Sequence, residues 1–218
     1  MSFVDRSEAG EKLADSLEEY RGVEDGVVIS LPRGGVVLGR IVADRLGLPL
    51  DIVVPRKIGA PSNPEYAIGA ITEMGDIVWN EAERSVHDPK SLEEIVEKEK
   101  VEANRRMNAY RKGLPERVMR DRIVIIVDDG IATGFTMMAA IKTVRAAGPK
   151  RIVVAVPVAS SDSVKTIENL VDELIVLETP TMFWAVGAHY SDFGEVNDDE
   201  VVELLEREKG QKREKREK

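Results

Sequence analysis

The stretch VIIVDDGIATGFT, residues 124–136, decides the fold. Its first four residues are branched aliphatic side chains, which favour a buried β-strand. Two adjacent carboxylates, Asp128 and Asp129, follow at once, and a run of small and hydroxyl residues comes after them. Neighbouring carboxylates repel each other, and they tolerate burial only when they are paired, hydrogen-bonded or bound to a partner. This acid pair therefore indicates a binding site at the end of a buried strand.

The composition limits the class of protein to which the chain can belong. Its 218 residues suit one domain, and such a domain buries about 70% of the surface of its unfolded chain. The N-terminus lacks the basic start and apolar core of a signal peptide, and no apolar run approaches the roughly 20 residues that span a bilayer. The chain has no cysteine and a net charge of −9, which disfavours broad attraction to nucleic acid. We expect a soluble, cytoplasmic protein with neither membranes nor nucleic acids as partners.

Strand and helix signals alternate along most of the chain. Short β-branched runs are followed by segments with helical periodicity, and this order predicts a parallel sheet with right-handed crossovers. The predicted fold class is α/β, a Rossmann-like parallel sheet flanked by helices. Ligands of such sheets bind beyond the carboxyl ends of the strands, where the strand order reverses. Three strand ends are therefore candidates: LPRGG at 31–35, PRKIGAPSNPE at 55–65 and DDGIATGFT at 128–136.

Two segments interrupt this alternation, and the chain ends in a charged run. Residues 56–70 contain two prolines and two glycines, which predicts a long loop, and the runs 67–72 and 76–80 after it predict a small antiparallel pair. Residues 91–112 predict a charged, exposed helix. We expect a single domain over residues 1–207, with a helical insertion at about 88–115. Residues 208–218 carry no apolar side chain and are expected to form a disordered tail or a frayed helical end.

The small-residue loop, residues 132–136, has the chemistry of a phosphate site. It lies where a helix begins, so unpaired amides and the positive end of the helix dipole suit a dianion, and threonine hydroxyls add donors. A glycine within it lets the backbone approach a ligand closely. The loop lacks the spacing of the glycine-rich loops that bind nucleoside triphosphates or dinucleotides. The candidate ligands of a phosphate are Ala132, Thr133, Gly134, Phe135 and Thr136.

The acid pair suits the sugar that would carry such a phosphate. Asp128 and Asp129 can accept hydrogen bonds from a vicinal diol, and their charge favours a ring that becomes positive in an oxocarbenium-like transition state. The alternative is a purely structural pair that caps the following turn. The adjacent small-residue loop favours the ribose interpretation.

Residues 124–136 resemble the phosphoribosyl pyrophosphate (PRPP) motif of type I phosphoribosyltransferases. The similarity consists of a hydrophobic strand, two acids, two small or apolar residues and a small-Thr-Gly-x-Thr loop. It extends to the order of the parts from about residue 25 to residue 195. LPRGGV, RKIGAPSNPEYAIGA and DDGIATGFT together resemble a branch of this family whose acceptor base is unassigned.

The resemblance assigns roles to two further segments. In the family, the loop after the first core strand holds pyrophosphate through main-chain amides; here the matching residues are Arg33, Gly34 and Gly35, which as structure alone form a turn. A flexible loop that closes over the reaction corresponds to residues 56–65. Arg56 and Lys57 would steady the departing diphosphate, although both are otherwise ordinary surface cations after a strand. Glu65 faces either the ligand or solvent.

The family usually has a hood that recognises the base, and the matching hood segment is residues 179–200. Aromatic residues are concentrated there, and Trp184, Tyr190 and Phe193 are candidates to stack on a planar base. A hydrophobic plug over the end of the sheet explains them almost as well. The arginines near residues 105–111 are absent from smaller members of the family, and they either reach the diphosphate or form a solvated helix face or dimer surface.

The resemblance implies a magnesium-dependent transferase that moves the 5-phosphoribosyl group from PRPP to a nitrogenous base and releases pyrophosphate. Mg²⁺ would be held mainly through PRPP and water, so no protein ligand of the metal is assigned. The general base stays open between Asp129, Glu65 and water. The alternative function is a non-catalytic protein of the same fold that senses PRPP or a nucleotide. A homo-oligomer remains compatible with either function.

Overall fold

The computed structural model describes residues 2–214, and side chains as far as residue 206. Its core is a five-stranded sheet in which every neighbouring pair is parallel, in the order β2-β1-β6-β7-β8. The predicted α/β class with a Rossmann-like parallel sheet is confirmed. The strands are β1 (Gly26–Ser30), β2 (Leu50–Ile52), β6 (Ile123–Val127), β7 (Arg151–Val158) and β8 (Glu173–Glu178).

Helices cover both faces of this sheet. The strands alternate their side chains, so Val28 and Ile125 pack into one apolar cluster while Ile29 and Ile126 pack into the other. Both faces of the central strands are buried, which explains why these strands read as continuous apolar runs. The helices are α1 (Arg6–Ser16), α2 (Gly35–Leu46), α3 (Glu81–Ser85), α4 (Pro89–Tyr110), α5 (Phe135–Ala146), α6 (Ser161–Ile167) and α7 (Asp198–Glu214).

The strand order reverses between β1 and β6. The chain runs from β1 outward to β2 and returns to place β6 on the other side of β1, from which β7 and β8 continue in the opposite direction. Such a reversal separates the loops that leave the two adjacent strands and opens a crevice at their carboxyl ends. The segments after β1 and β6 therefore face each other across this crevice.

A second, antiparallel sheet consists of β3 (Arg56–Ala60), β4 (Asn63–Ile71) and β5 (Ile77–Trp79). Strand β4 pairs with β5 from Gly69 to Ile71, which confirms the predicted antiparallel pair. The prediction of a long loop at 56–70 is wrong, because β3 and β4 form a hairpin over most of that segment. Its prolines fit because Pro61 lies in the turn and Pro64 lies where the pairing register shifts.

Helix α4 covers the small sheet and contains most of the predicted insertion. It buries Leu92 against Ile58, Ile68 and Ile71, while most of its other side chains stay polar and exposed. Helix α7 spans Asp198–Glu214, and residues 215–218 lie outside the described part. No helix within residues 2–214 is both long and apolar enough to cross a membrane. The division at residue 207 stays a prediction.

Candidate active site

The turn after β1 and the acid pair after β6 lie side by side. Ser30 pairs with Val127 at the ends of the two strands, and the amide of Leu31 donates to the carbonyl of Val127 at 3.1 Å. The glycine turn, residues 32–35, therefore starts next to the acid pair, and its Pro32–Arg33 peptide is cis. Parallel pairing thus brings together two segments that are far apart in sequence.

The glycines of this turn pack directly against the acids. A Cβ atom on Gly34 would lie 2.0 Å from Oδ2 of Asp129, and one on Gly35 would lie 2.7 Å from Oδ1 of Asp128. Real side-chain carbons do not approach oxygen so closely, so no larger residue fits without moving the acids. Glycine is therefore required at both positions, because the backbone there lies so close to the acid pair.

The acid pair is largely buried and has few partners. The Asp129 amide donates to Oδ1 of Asp128 at 2.9 Å, and Arg6 Nε donates to Oδ2 of Asp129 at 2.8 Å. Burial and then the charge of Asp129 raise the pKa of Asp128 well above its ordinary range. Burial also raises the pKa of Asp129, against the opposing charge of Arg6. Hydrogen-bond donors or a cation arriving here would stabilise the ionised pair.

The small-residue loop turns from β6 into α5 at the same edge of the sheet. Gly134 has φ +80° at the position before the helix, a left-handed conformation that favours glycine. The hydroxyls of Ser160 and Ser163 donate to the Ala132 carbonyl at 2.7 and 2.6 Å, and these two hydrogen bonds hold the loop in place. A cavity of about 200 Å³ lies over the loop, and Lys57, Gly130, Val186 and residues 132–136 contribute to its lining.

The predicted cations lie on β3 and are paired with acids. Lys57 reaches the cavity over the small-residue loop, and its Nζ also contacts Glu65 Oε2 at 3.0 Å. Arg56 points instead to α4, where it pairs with Glu99 at 2.8 Å. The Glu65 side chain is 91% exposed. The structure therefore brings Lys57 to the candidate phosphate site but directs Arg56 away from it.

The Arg33 side chain points from the glycine turn toward the start of α7. Its guanidinium pairs with Glu195 and lies 3.7 Å from Asp198 at the start of α7. Asp198 also accepts from Tyr110 at 2.6 Å and from Arg105 at 3.2 Å. The glycine turn is thus connected to the hood segment and to α4 through charged side chains.

The arginines of α4 and its C-terminal end do not form a free basic surface. Each has a carboxylate partner among the described residues, so none of them is an unpaired cation. Tyr110 beside them is buried, and burial together with Asp198 raises its pKa to about 12. The pairs are Arg105 with Glu102 and Asp198, Arg106 with Glu102, and Arg111 with Asp51.

The aromatic residues of the hood segment differ in exposure. Trp184 is 85% exposed and offers ring surface to a ligand, whereas Phe193 is 37% exposed and packs against Arg6 and Tyr190. Tyr190 is 2% exposed; its ring packs between Phe3 and Phe193, and its hydroxyl donates to the Asp129 carbonyl at 2.6 Å. Tyr190 is therefore too buried to stack on a base as expected, and its hydroxyl binds the main chain of the acid pair instead.

Sequence reasoning missed Arg6, which lies in the first turn of α1. The first helix carries no motif, and the ion pair to Asp129 joins residues 123 positions apart. Arg6 also donates to the Gly194 carbonyl at 2.6 Å and stacks over Phe193 at 3.8 Å. Its side chain is only 13% exposed. A buried arginine of this kind has no local signal, since only the tertiary fold brings its partners together.

Comparison with known proteins is consistent across sequence and structure. A family model for the phosphoribosyl transferase domain matches residues 6–192. Two Mycobacterium tuberculosis proteins are each 42% identical over 207 residues: "Putative phosphoribosyl transferase Rv0571c" of strain H37Rv and "Putative phosphoribosyl transferase MT0597" of strain CDC 1551. These alignments cover 94% of this chain but 46% of each relative, so the chain spans about half of their length.

A solved structure is similar over almost the whole chain. The crystal structure of TT1426 from Thermus thermophilus is 44% identical, with a TM-score of 0.78, and the match covers 94% of this chain and 98% of that one. The family match includes all five strands of the parallel sheet, the glycine turn, the acid pair and the small-residue loop. The chain therefore belongs to the phosphoribosyl transferase family.

Proposed function

We propose that this protein transfers the 5-phosphoribosyl group of PRPP to a nitrogen atom of a heterocyclic base and releases pyrophosphate. One observation carries the proposal: the acid pair, the glycine turn and the small-residue loop meet at the point where the strand order reverses. Each of the three suits a different part of PRPP. Together they match a sugar with a phosphate at one end and a diphosphate at the other.

The small-residue loop binds the 5-phosphate in this proposal. The amides of Ala132 to Thr136 and the two threonine hydroxyls lie at the start of a helix of twelve residues, where an anion is stabilised. Lys57 adds a positive charge at the edge of the same cavity. The left-handed Gly134 keeps side-chain atoms away from the space that the phosphate needs.

Asp128 and Asp129 hold the ribose. Their oxygens accept from the 2- and 3-hydroxyls, which supply the donors that a buried, mutually repelling pair lacks. As the bond to the diphosphate lengthens, positive charge develops on the sugar ring, and the two carboxylates stabilise it. The acids thereby favour the transition state over the ground state, which is the requirement for catalysis.

The glycine turn and the hairpin receive the departing diphosphate. Gly34 and Gly35 offer amides at the start of α2, and Arg33 adds charge. Arg56 and Lys57 stand at the base of the β3–β4 hairpin, whose tip is exposed from residue 61 to residue 66. Movement of the exposed tip over the site would exclude water that hydrolyses PRPP, and Lys57, at the edge of the cavity, is the hairpin cation that already reaches the site.

Asp128 and Asp129 are the residues of the site that fit Mg²⁺. The acid pair supplies hard oxygen donors, but among the side chains described, residues 2–206, no group of three His, Cys, Asp or Glu could hold a metal by itself. Asp128 and Asp129 would therefore hold the ion together with PRPP and water. When bound, it neutralises negative charge on the leaving group.

The acceptor base binds under the hood segment. Trp184 offers exposed ring surface for stacking, Phe193 offers the part of its ring that Arg6 and Tyr190 leave exposed, and Glu65 lies on the exposed hairpin. The proton that the acceptor loses goes to Asp129, to Glu65 or to water. We further propose that the reaction takes place in the cytoplasm.

The direct test is to incubate the protein with PRPP, Mg²⁺ and a panel of purine, pyrimidine and pyridine bases. Pyrophosphate release and formation of a new nucleotide are measured together, and reactions without base separate transfer from hydrolysis. We expect both products with at least one base, and no product when Mg²⁺ is chelated. PRPP binding without turnover on any base would favour a PRPP or nucleotide sensor of the same fold instead.

A further inference from the structure

Arg6 is held in place by three different contacts within the candidate site. Its Nε donates to Oδ2 of Asp129, its Nη1 donates to the carbonyl of Gly194, and its guanidinium lies 3.8 Å from the centre of the Phe193 ring. With 13% of its side chain exposed, Arg6 is an unusually buried cation for a surface helix. These contacts leave one nitrogen, Nη2, without a hydrogen-bond partner among residues 2–206.

The free Nη2 atom lies against the glycine turn. A Cβ atom on Gly34 would lie 3.0 Å from Nη2, so the guanidinium edge rests on the backbone of that turn. An open cavity of about 330 Å³ lies between Arg6, Arg33 and Gly34 on one side and residues 193–196 on the other. Two guanidinium groups and a glycine backbone therefore face one space beside the acid pair.

We propose that Arg6 is a diphosphate-binding residue that bridges the two reacting halves of PRPP. One edge of its guanidinium holds Asp129 at the ribose, and Nη2 donates to the diphosphate lying over Gly34, with Arg33 as the second cation. This proposal rests on the proposed function, and it deepens that function by adding a residue from α1 to the leaving-group site.

The planar guanidinium is what makes such a bridge possible. Arginine presents donors along two edges in a fixed fork, so one side chain can hold a carboxylate and a phosphate at the same time. Lysine has a single ammonium group and cannot span Asp129, Gly194 and a diphosphate together. The anchored position also means that little side-chain freedom is lost when the diphosphate binds.

The present partners of Arg33 are compatible with this arrangement. Arg33 pairs with Glu195, whose side chain is 79% exposed and free to move away, and it lies 3.7 Å from Asp198. Diphosphate carries more charge than one carboxylate, so it replaces Glu195 on Arg33. Asp198 stays bound to Tyr110 and Arg105 and keeps Arg33 oriented.

The test compares Arg6→Gln, Arg6→Lys and Arg45→Gln by titration calorimetry with Mg²⁺ and inorganic pyrophosphate, and separately with ribose 5-phosphate. Arg45 is the control, because it is also an arginine with carboxylate partners, Glu11 and Asp15 of α1, but it pairs with none of the site residues. We expect pyrophosphate affinity to fall about 10- to 100-fold in Arg6→Gln and about tenfold in Arg6→Lys. Arg45→Gln should bind both ligands like the wild type, and ribose 5-phosphate affinity should fall less than pyrophosphate affinity in both Arg6 variants, because Arg6 acts on the ribose only through Asp129.

Each possible result supports or overturns the proposal. Unchanged pyrophosphate affinity in either Arg6 variant overturns it, and so does an equal loss for both ligands, which would mean that Arg6 only maintains the shape of the site. If Arg6→Gln does not fold, Arg6→Lys decides alone. Wild-type protein that binds neither pyrophosphate nor ribose 5-phosphate overturns the proposed transferase itself, whereas wild-type binding with unaffected Arg6 variants overturns only the role of Arg6.

Discussion

The two ends of the candidate site are built in different ways. At the core end, the glycine turn, acid pair and small-residue loop leave the parallel sheet, and glycine backbone packs against the acids too closely for any side chain. At the outer end, the β3–β4 hairpin and the hood segment present exposed side chains such as Trp184 and Glu65. Binding at the core end depends on backbone position, whereas binding at the outer end depends on side chains that are free to move. The core end should therefore tolerate almost no substitution, and the outer end should tolerate many.

The largest effect is expected from the acid pair at the core end. Asp128→Asn combined with Asp129→Asn keeps the shape of both side chains and removes their charge. Turnover should fall on the order of 10³-fold, because the positive sugar ring of the transition state loses its stabilising carboxylates. The measurement is pyrophosphate release with PRPP, Mg²⁺ and the base that gives turnover. A variant that retains wild-type turnover would remove the ribose role from the acid pair.

The stability of the same variant is the control for unfolding. Burial raises the pKa of both acids above the ordinary value of 3.8, so their ionisation destabilises the fold as the pH rises above that value. The asparagine pair has no such cost. Its free energy of unfolding relative to wild type should therefore increase from about pH 4 to about pH 7 in denaturant titrations. A relative stability that falls with pH would mean that the acids are stabilised in the fold by more than Arg6.

A pair of glycine substitutions compares the two ends directly. Gly34→Ala places a methyl group 2.0 Å from Oδ2 of Asp129, so the Asp129–Arg6 ion pair must move. We expect a loss of about 1–3 kcal/mol in stability and about 100-fold in turnover. Gly194→Ala, in the hood segment, meets nothing closer than 3.6 Å and should change stability by less than about 0.5 kcal/mol. Thermal melts and steady-state turnover measure both effects, and similar losses in the two variants would erase the difference between the ends.

The same difference explains what can be predicted from the sequence. At the core end, function depends on a strand, two acids and a glycine-containing loop that are contiguous, so residues 124–136 are sufficient to indicate the sheet and the acid pair. The sequence predicts a loop in place of the hairpin because Pro61 and Pro64 are loop residues by composition. The strand pairing, which the sequence does not show, places Pro61 in the turn and Pro64 where the pairing register shifts.

Residues whose partners are distant in sequence leave no local signal. Arg6 pairs with Asp129 across 123 positions, so its place in the site is not predictable from the sequence. The same holds for the pairing of Arg105 with Asp198 and of Arg111 with Asp51. Aromatic residues cluster around Tyr190 in the sequence, which favours contact with a base. Its burial depends instead on Phe3, at the far end of the chain.

The smallest effect on stability, and the sharpest test of the outer end, is expected from Trp184→Ala. Trp184 is 85% exposed, so its loss should change the free energy of unfolding by less than about 0.5 kcal/mol. Trp79→Ala is the matched control: that ring packs against the apolar cluster of the small sheet, and its loss should cost about 2 kcal/mol. If Trp184 stacks on the acceptor, its removal raises the KM for the base about tenfold and leaves the KM for PRPP unchanged. An unchanged KM for the base would place the acceptor elsewhere, and the exposed ring would then have no part in the reaction.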